Sequence, residues 1–189
     1  MNDLKSALLL FIVLTCLLGG AYPAVVTVAA KLLFPHQAQG SLVTDGVGRV
    51  VGSSLIGQPF TEAKYFWPRP SATAGFPYNP LLSGGSNLGP AHPELIRRAA
   101  EHIARLRDSG VAGEIPADLV TASASGLDPH ISPESALLQA PRVALARGLS
   151  LLQVERLVAA ATQGPQAGTL GAARVNVLAL NMALDGEGR

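Results

Sequence analysis

An apolar run near the N-terminus constrains this chain more than any other feature. Residues Ala7 to Ala30 contain no charged side chain. A helix needs about 20 such residues to cross the ~30 Å hydrocarbon core of a bilayer, so the run is long enough to span with some tilt. We therefore interpret residues 1–34 as a transmembrane anchor and residues 35–189 as one soluble domain, which at roughly 155 residues has an ordinary size.

A cleaved signal peptide is the alternative interpretation of this run. Lys5 precedes a leucine-rich stretch, and residues 27–29 offer small side chains of the kind found near cleavage sites. However, the apolar region of a signal peptide covers about 7 to 15 residues, whereas here hydrophobicity continues to Leu33 and Phe34. The length favours a retained anchor.

The anchor also carries signals for partners and orientation. Gly19 and Gly20 allow another helix to approach closely, so they are candidate interface residues. Lys5 and the free amino terminus precede the span, and Lys31 follows it. Because positive charge favours the cytoplasmic side, the N-terminus is expected inside and the soluble domain outside the cytoplasm.

Composition excludes some classes of function. The formal net charge is +1 and charged residues make up 14% of the chain, whereas nucleic-acid binding needs concentrated Lys and Arg. The single cysteine, Cys16, lies within the apolar run. The soluble domain therefore has no disulfide and must be held together by its core.

Local patterns predict an α+β domain after the single transmembrane helix. Alternating apolar residues predict short strands at residues 41–43, 49–51, 54–56 and 118–121. Dense prolines and glycines predict a long loop from Trp67 to Pro93. Residues 174–184 are expected to form a strand that enters a short final helix.

Three further helices have clear boundary signals. The first runs from Pro93 to about Asp108. The second runs from Ser132 as N-cap to about Arg147, where Gly148 is expected to stop it, and the third starts with a capping box of Ser150 and Gln153. Pro141 is expected to kink or split the second helix. The residues predicted to be buried are Leu95, Ala99, Ile103 and Leu106 in the first helix, and Leu151, Val154, Leu157, Val158 and Ala161 in the third.

Charged residues on the first of these helices pair at i,i+4. The pairs are Glu94 with Arg98, Arg97 with Glu101, and Glu101 with Arg105. This pattern favours a solvated face over a phosphate site.

A glycine-rich loop is one candidate binding site. In Ser83, Gly84, Gly85, Ser86 and Asn87, backbone N–H groups could converge on an anion such as a phosphate of ATP. The stretch superficially resembles the signature motif of ATP-binding-cassette proteins, but it is no Walker A loop because no Lys-Ser/Thr follows. The alternative is a turn with positive φ that leads into the helix and docks on a partner.

A second loop suggests hydrolytic chemistry. Asp128, His130 and Ser132 are the residue types of a catalytic triad, although Ser132 is needed as an N-cap and spacings of two residues rarely align three side chains. His36, His92, His102 and His130 lack a recognisable metal spacing.

Aromatic residues cluster beside Arg69. Tyr65, Phe66, Trp67, Phe76 and Tyr78 lie within a short stretch of the chain. The cluster could stack on adenine, form a protein interface through Tyr65, Phe66, Arg69 and Tyr78, or build a small core under the long loop. The residues alone leave these three alternatives open.

Many irregular motifs together resemble the C subunit of the bacterial Kdp potassium-transporting ATPase. They occur in order along essentially the whole chain. They are Gly57-Gln58, Tyr65-Phe66, Arg69-Pro70-Ser71-Ala72, Tyr78-Asn79, Ser83-Gly84-Gly85-Ser86-Asn87, the run from Thr121 to Pro133, Gln139, Pro141-Arg142-Val143-Ala144, Ala146-Arg147, Val175-Asn176-Val177-Leu178, Leu180-Asn181 and Ala183-Leu184-Asp185.

The resemblance implies an inner-membrane complex with a channel-like potassium-binding subunit, a P-type ATPase subunit and a small single-helix subunit. It implies a non-catalytic role in which this chain stabilises the complex and raises the ATP affinity of the P-type subunit. Potassium is then transported by the complex and not bound here. Direct contact with ATP conflicts with an extracytoplasmic domain, which would instead lie over the potassium-binding subunit. The alternative functions are a membrane-tethered hydrolase and a ligand-binding module.

Overall fold

The computed structural model describes the chain over residues 2–187. The chain divides into two compact units, with the boundary between Leu42 and Val43. Residues 35–42, which the sequence places with the soluble domain, group with the N-terminal helix.

The first unit is one long helix followed by a single turn. Helix α1 (Asn2–Cys16) passes through a π-helical turn (Leu17–Ala21) into α2 (Tyr22–Leu33), and the short α3 covers Pro35–Ala38. Residues Asp3–Leu33 form a span of 31 residues that is long and apolar enough to cross a membrane. Gly19 and Gly20 lie in the π turn, where the N–H of Tyr22 bonds the carbonyl of Leu17.

The second unit combines short strands with four helices, which confirms the α+β fold. Strand β1 (Leu42–Thr44), whose first residue is the last of the first unit, pairs with β2 (Val50–Ser53) in a small two-stranded sheet. A second, antiparallel sheet has the order β3-β5-β4 and consists of β3 (His130–Ile131), β4 (Thr162–Gln163) and β5 (Arg174–Asn176). The helices are α4 (Pro93–Asp108), α5 (Pro133–Arg147), α6 (Leu151–Ala161) and α7 (Val177–Glu187).

The helix boundaries follow the predicted signals. The Ser132 hydroxyl accepts the N–H of Ser135 at the start of α5, and Gly148 ends that helix with φ of 65°. Ser150 and Gln153 form the predicted capping box at the start of α6. Pro141 was expected to kink or split α5; the helix continues through it from Pro133 to Arg147, so the split does not occur.

The core lies where α5, α6 and α7 pack around β5. Phe66 from the long loop and Leu106 from α4 complete it. Its other fully buried members come mainly from these elements: Ala136, Ala140, Val143, Val154, Val158, Val175, Leu180 and Leu184.

Two strand predictions are wrong. Residues 118–121 begin in a 3₁₀ turn (Ala117–Leu119), because the Asp118 carboxylate is held by the Ser132 N–H at 2.7 Å and the Ser135 hydroxyl at 2.5 Å. Residues 54–56 form a turn, in which Ser53 accepts the N–H groups of Leu55 and Ile56.

Two residues that were predicted to be buried, one on α4 and one on α6, are exposed. Ile103 is 40% exposed and Leu151 is 43% exposed, so neither belongs to the core. Helix α4 buries only Leu106 completely. The long loop from Trp67 onward is confirmed and contains one 3₁₀ turn (Pro80–Leu82), whose N-terminus is capped by the Asn79 side chain.

Candidate functional site

The glycine-rich loop packs directly against the second candidate loop. The Gly84 N–H donates to the Ser125 carbonyl at 2.8 Å, and the Ser83 hydroxyl donates to the same oxygen at 3.1 Å. A Cβ on Gly85 would lie 3.0 Å from the Ala124 carbonyl oxygen. We refer to residues 69–79, 83–87 and 121–130 as the loop junction.

Gly84 and Gly85 were expected to provide a positive φ, and the structure gives a different reason for them. Neither Gly84 nor Gly85 has a positive φ, whereas Asn87 does, with φ of 51°. The predicted turn with positive φ at the glycines is therefore wrong: Gly85 allows close backbone approach, and Asn87 supplies the left-handed residue. Because the Gly84 donor already bonds Ser125, a phosphate bound at residues 83–87 would have to use other N–H groups.

Hydroxyl side chains fix the centre of the loop junction. The Ser71 hydroxyl donates to the Gly126 carbonyl at 2.7 Å and accepts the Tyr78 N–H at 2.9 Å. The Thr73 hydroxyl donates to the Phe76 carbonyl at 2.7 Å. Gly126 has φ of 68°, and a Cβ there would lie 2.7 Å from the Gly84 carbonyl oxygen. These contacts hold three segments of the chain in a single arrangement.

Tyr78 lies inside this arrangement rather than on its surface. Its hydroxyl donates to the Arg69 carbonyl at 2.5 Å, and burial raises the pKa of the phenol above its ordinary value. Its ring lies so close to Gly57 that a Cβ there would be 2.4 Å from a ring carbon. Gly57 is thus required for close approach of the ring.

An ion pair and a histidine lie within the same junction. Arg69 bonds one Asp128 oxygen at 2.8 Å, and the His130 ring and backbone N–H bond the other at 3.1 and 3.0 Å. Burial alone would raise the pKa of Asp128, but these bonds from His130 and Arg69 outweigh it and hold the pKa at about 2. Asp128 is therefore an anion at neutral pH.

The candidate triad is only partly assembled. Asp128 and His130 meet, contrary to the expectation from their spacing. The Ser132 hydroxyl instead donates to the Ser135 hydroxyl at 2.9 Å and accepts the Ser135 N–H. The structure therefore brings together an acid and a base, with the serine used as a helix cap.

Buried polar side chains hold the backbone of the aromatic segment, and sequence reasoning missed them. Asn181 bonds both backbone groups of Phe66, at 2.8 and 3.0 Å. Gln139 does the same for Trp67, at 2.8 and 3.1 Å. Arg142 donates to the carbonyls of Ala63 and Tyr65 at 2.6 and 3.0 Å. The sequence signal that could have identified them is the presence of polar residues on the otherwise apolar faces of α5 and α7.

The aromatic cluster divides between interior and surface. Phe66 and Tyr78 are buried, which agrees with the interpretation of the cluster as a small core and leaves no surface of theirs for a partner. Trp67 is partly buried and packs against the core. Phe76 is 56% exposed. Tyr65 is partly exposed and its hydroxyl donates to Asp185 at 3.1 Å. Of the predicted interface residues in this segment, Tyr65 and Arg69 reach the surface, and their interface role stays a prediction.

Arginines contact the Trp67 ring. The guanidinium carbons of Arg105 and Arg142 lie 4.5 and 4.4 Å from its centroid. The predicted Glu101 partner of Arg105 bonds Arg97 instead, while the predicted pair of Glu94 with Arg98 forms at 2.7 Å. Within residues 2–187, no cluster of three or more His, Cys, Asp or Glu side chains could hold a metal ion.

Known proteins resemble this chain over nearly its full length. A family model described as KdpC, K⁺-transporting ATPase, c chain, matches residues 4–186. A potassium-transporting ATPase KdpC subunit from Geobacter sulfurreducens is 62% identical over 98% of both chains. The KdpC subunit of Geotalea uraniireducens is 57% identical over 98% of both chains, and that of Polaromonas naphthalenivorans is 59% identical over 97% of this chain and 94% of its own. The chain therefore belongs to the KdpC family, the c chain of the K⁺-transporting ATPase.

Proposed function

We propose that this chain is a non-catalytic accessory subunit of a potassium-transporting ATPase. In this role it stabilises the complex in the inner membrane and raises the ATP affinity of the P-type subunit. The observation that carries the proposal is the family match, which covers the apolar helix and the α+β unit alike. The other subunits would be the channel-like potassium-binding subunit, the P-type ATPase subunit and the small single-helix subunit.

The loop junction suits a docking element. Its three segments are locked to each other by backbone and hydroxyl hydrogen bonds, so it presents a fixed shape. Beside residues 83–87, apolar side chains are exposed to solvent, with Leu81 at 88% and Leu82 at 54%. We infer that these two adjacent leucines form part of the docking surface, since contiguous exposed apolar surface marks sites of protein interaction.

The orientation of the domain determines how it could affect ATP. With the amino terminus inside, the domain lies outside the cytoplasm, over the potassium-binding subunit. The effect on ATP affinity then passes through the assembled complex rather than through direct contact. Gly19 and Gly20 offer a surface where a partner helix could approach the anchor, because a Cβ on either would meet no atom within 4 Å.

Potassium-stimulated ATPase activity of the complex tests the accessory role. The assay compares complexes with and without this chain over a range of ATP concentrations, and adds His130→Ala. We expect the complex without the chain to lose activity or to need more ATP, and His130→Ala to stay near normal. Ester or peptide hydrolysis by the purified chain that disappears in His130→Ala would instead support the tethered hydrolase.

Gly84→Val separates the docking and ATP-contact interpretations of residues 83–87. No atom lies within 4 Å of the position of its Cβ, and its φ is not positive, so the variant should fold. If residues 83–87 dock on a partner, Gly84→Val weakens assembly of the complex. Calorimetry of the full chain in detergent then detects no ATP binding, either in the natural chain or in the variant. Saturable ATP binding that Gly84→Val abolishes would overturn that interpretation.

A further inference from the structure

A partly enclosed cavity of about 160 Å³ lies between α4 and the aromatic segment. Trp67, Tyr78 and several prolines line it, together with three basic residues, Arg69, His102 and Arg105. No Asp or Glu is among the residues that line it. The cavity lies entirely within the α+β unit.

The positive charge at this cavity is only partly compensated. Asp128 neutralises Arg69. Arg105, in contrast, has no carboxylate within ion-pair distance among the described residues, and its guanidinium lies on the Trp67 ring. Helix α4 therefore places one cation at the wall of the cavity that has no acidic partner and is exposed to solvent.

A second guanidinium adds to this excess. Arg142 contacts the same Trp67 ring and bonds two backbone carbonyls and the Gln139 amide oxygen, all of them neutral acceptors. Burial, and after it the nearby charge of Arg105, lowers the pKa of Arg142 to about 10. The Nε atoms of Arg142 and Arg69 are buried without a hydrogen-bond partner within residues 2–187. Neither Nε atom is accessible from the cavity, and Arg142 is not among the lining residues, so Arg142 contributes to the site through its charge alone.

The volume limits the size of a ligand that this cavity could hold. A water molecule occupies about 30 Å³ in the liquid, so the cavity corresponds to about five waters. Pockets for drug-sized molecules start near 300 Å³. A phosphate ion or a small carboxylate fits the space, and a whole nucleotide does not.

We propose that this cavity binds a small oxyanion, of the phosphate or short-chain carboxylate class, through Arg105 with support from Arg69 and His102. The positive charge around Trp67 attracts the anion, and guanidinium N–H groups donate charge-assisted hydrogen bonds to it. The inference goes beyond the accessory role and does not depend on it, because it concerns a ligand of this chain alone.

The single tryptophan makes the test direct, since Trp67 is the only Trp in the chain and it lines the cavity. The full chain in detergent is titrated with phosphate and with acetate at constant ionic strength, and with acetamide as the neutral isostere of acetate. We expect a saturable change in Trp67 emission with phosphate or acetate and none with acetamide. Calorimetry of the same titrations gives the affinity independently of emission.

Two variants on α4 localise the effect. Arg105→Gln should weaken anion binding at least about tenfold. Arg98→Gln is the matched control, because Arg98 lies on the same helix, pairs with Glu94 and does not line this cavity, and it should bind as the natural chain does. An absence of saturable anion binding by both methods, an equal response to acetamide, or unchanged affinity in Arg105→Gln would each overturn the proposal.

Discussion

The side-chain amide of Asn181 pairs with the backbone of Phe66 as a neighbouring β-strand would. Its oxygen accepts the Phe66 N–H at 2.8 Å, and its nitrogen donates to the Phe66 carbonyl at 3.0 Å. Both residues are buried. The aromatic segment thereby satisfies its buried backbone groups without belonging to a sheet.

Asn181→Ala should therefore be strongly destabilising. It removes two hydrogen bonds and leaves a buried N–H and a buried carbonyl unpaired, so the free energy of unfolding should fall by about 2–4 kcal/mol. Chemical denaturation of the full chain in detergent measures this. Arg156→Ala, at an exposed position of α6, is the control and should change stability by less than about 0.5 kcal/mol. A loss below about 1 kcal/mol in Asn181→Ala would show that the Phe66 groups find other partners.

Gly126 and Gly148 form a matched pair for testing the loop junction. Both have positive φ, at 68° and 65°, but a Cβ on Gly126 would lie 2.7 Å from the Gly84 oxygen and from Thr73, whereas one on Gly148 meets nothing within 4 Å. Gly148→Ala should cost about 1–2 kcal/mol for the left-handed backbone alone. Gly126→Ala should cost about 1–3 kcal/mol more because the loops must separate.

Denaturation of both glycine variants under the same conditions makes the comparison. Equal losses of stability would mean that the loops can move apart freely, which contradicts a rigid junction. Assembly with partner subunits should be impaired in Gly126→Ala and retained in Gly148→Ala.

Asp128 predicts a specific acid sensitivity. Its pKa is about 2 in the folded chain, below the ordinary value of 3.8 for an aspartate, so ionised Asp128 stabilises the fold above pH ~4 and this contribution disappears as the pH falls toward 2. After allowance for partial solvent exposure, Asp128→Asn should cost about 1–2 kcal/mol at neutral pH.

Measuring the free energy of unfolding from pH 7 to pH 2 tests whether Asp128 loses its stabilising effect in acid. The difference in stability between the natural chain and Asp128→Asn should shrink between pH ~4 and pH ~2. Asp108→Asn, at an exposed position of α4, provides the comparison. A difference that stays constant over this range would argue against a role for the Asp128 charge.

The orientation of the anchor is testable with fusions after residue 189. Two positive charges, Lys5 and the amino terminus, precede the span, and one, Lys31, follows it. Because positive charge favours the cytoplasmic side, we expect the domain outside the cytoplasm. A C-terminal alkaline phosphatase fusion should be active and a green fluorescent protein fusion dark. The opposite pattern would place the domain in the cytoplasm and make direct ATP contact the leading mechanism.

Local signals were sufficient for the helices and insufficient for the loops. A helix cap bonds backbone groups only a few positions away, so its signal is visible in the local sequence. The ends of α5 at Ser132 and Gly148, and the start of α6 at Ser150, could therefore be predicted. The segment from Asp118 was predicted as a strand because its apolar pattern is local, whereas its conformation is set by bonds to Ser132 and Ser135.

The candidate site depends on contacts between distant residues. Gln139 bonds Trp67, which lies 72 residues away in the sequence, and no periodicity reveals such a pairing. Arg105 was assigned to Glu101 by helical spacing, but Glu101 bonds Arg97 and Arg105 lies on Trp67. Sequence patterns identified the glycine-rich and aromatic segments as unusual, and only the three-dimensional packing shows what each residue contacts.

The π turn between α1 and α2 changes which side chains can face the same neighbour. It accommodates one more residue than an α-helical turn does, since the N–H of Tyr22 bonds the carbonyl of Leu17 five positions earlier. The residues after Ala21 are therefore rotated by about 100°, the angle that one residue occupies in an α-helix. A face that begins in α1 is therefore continued in α2 by different residues from those of an uninterrupted α-helix. A straight neighbouring helix that follows one face of α1 meets, beyond Gly19 and Gly20, side chains that are offset by one position.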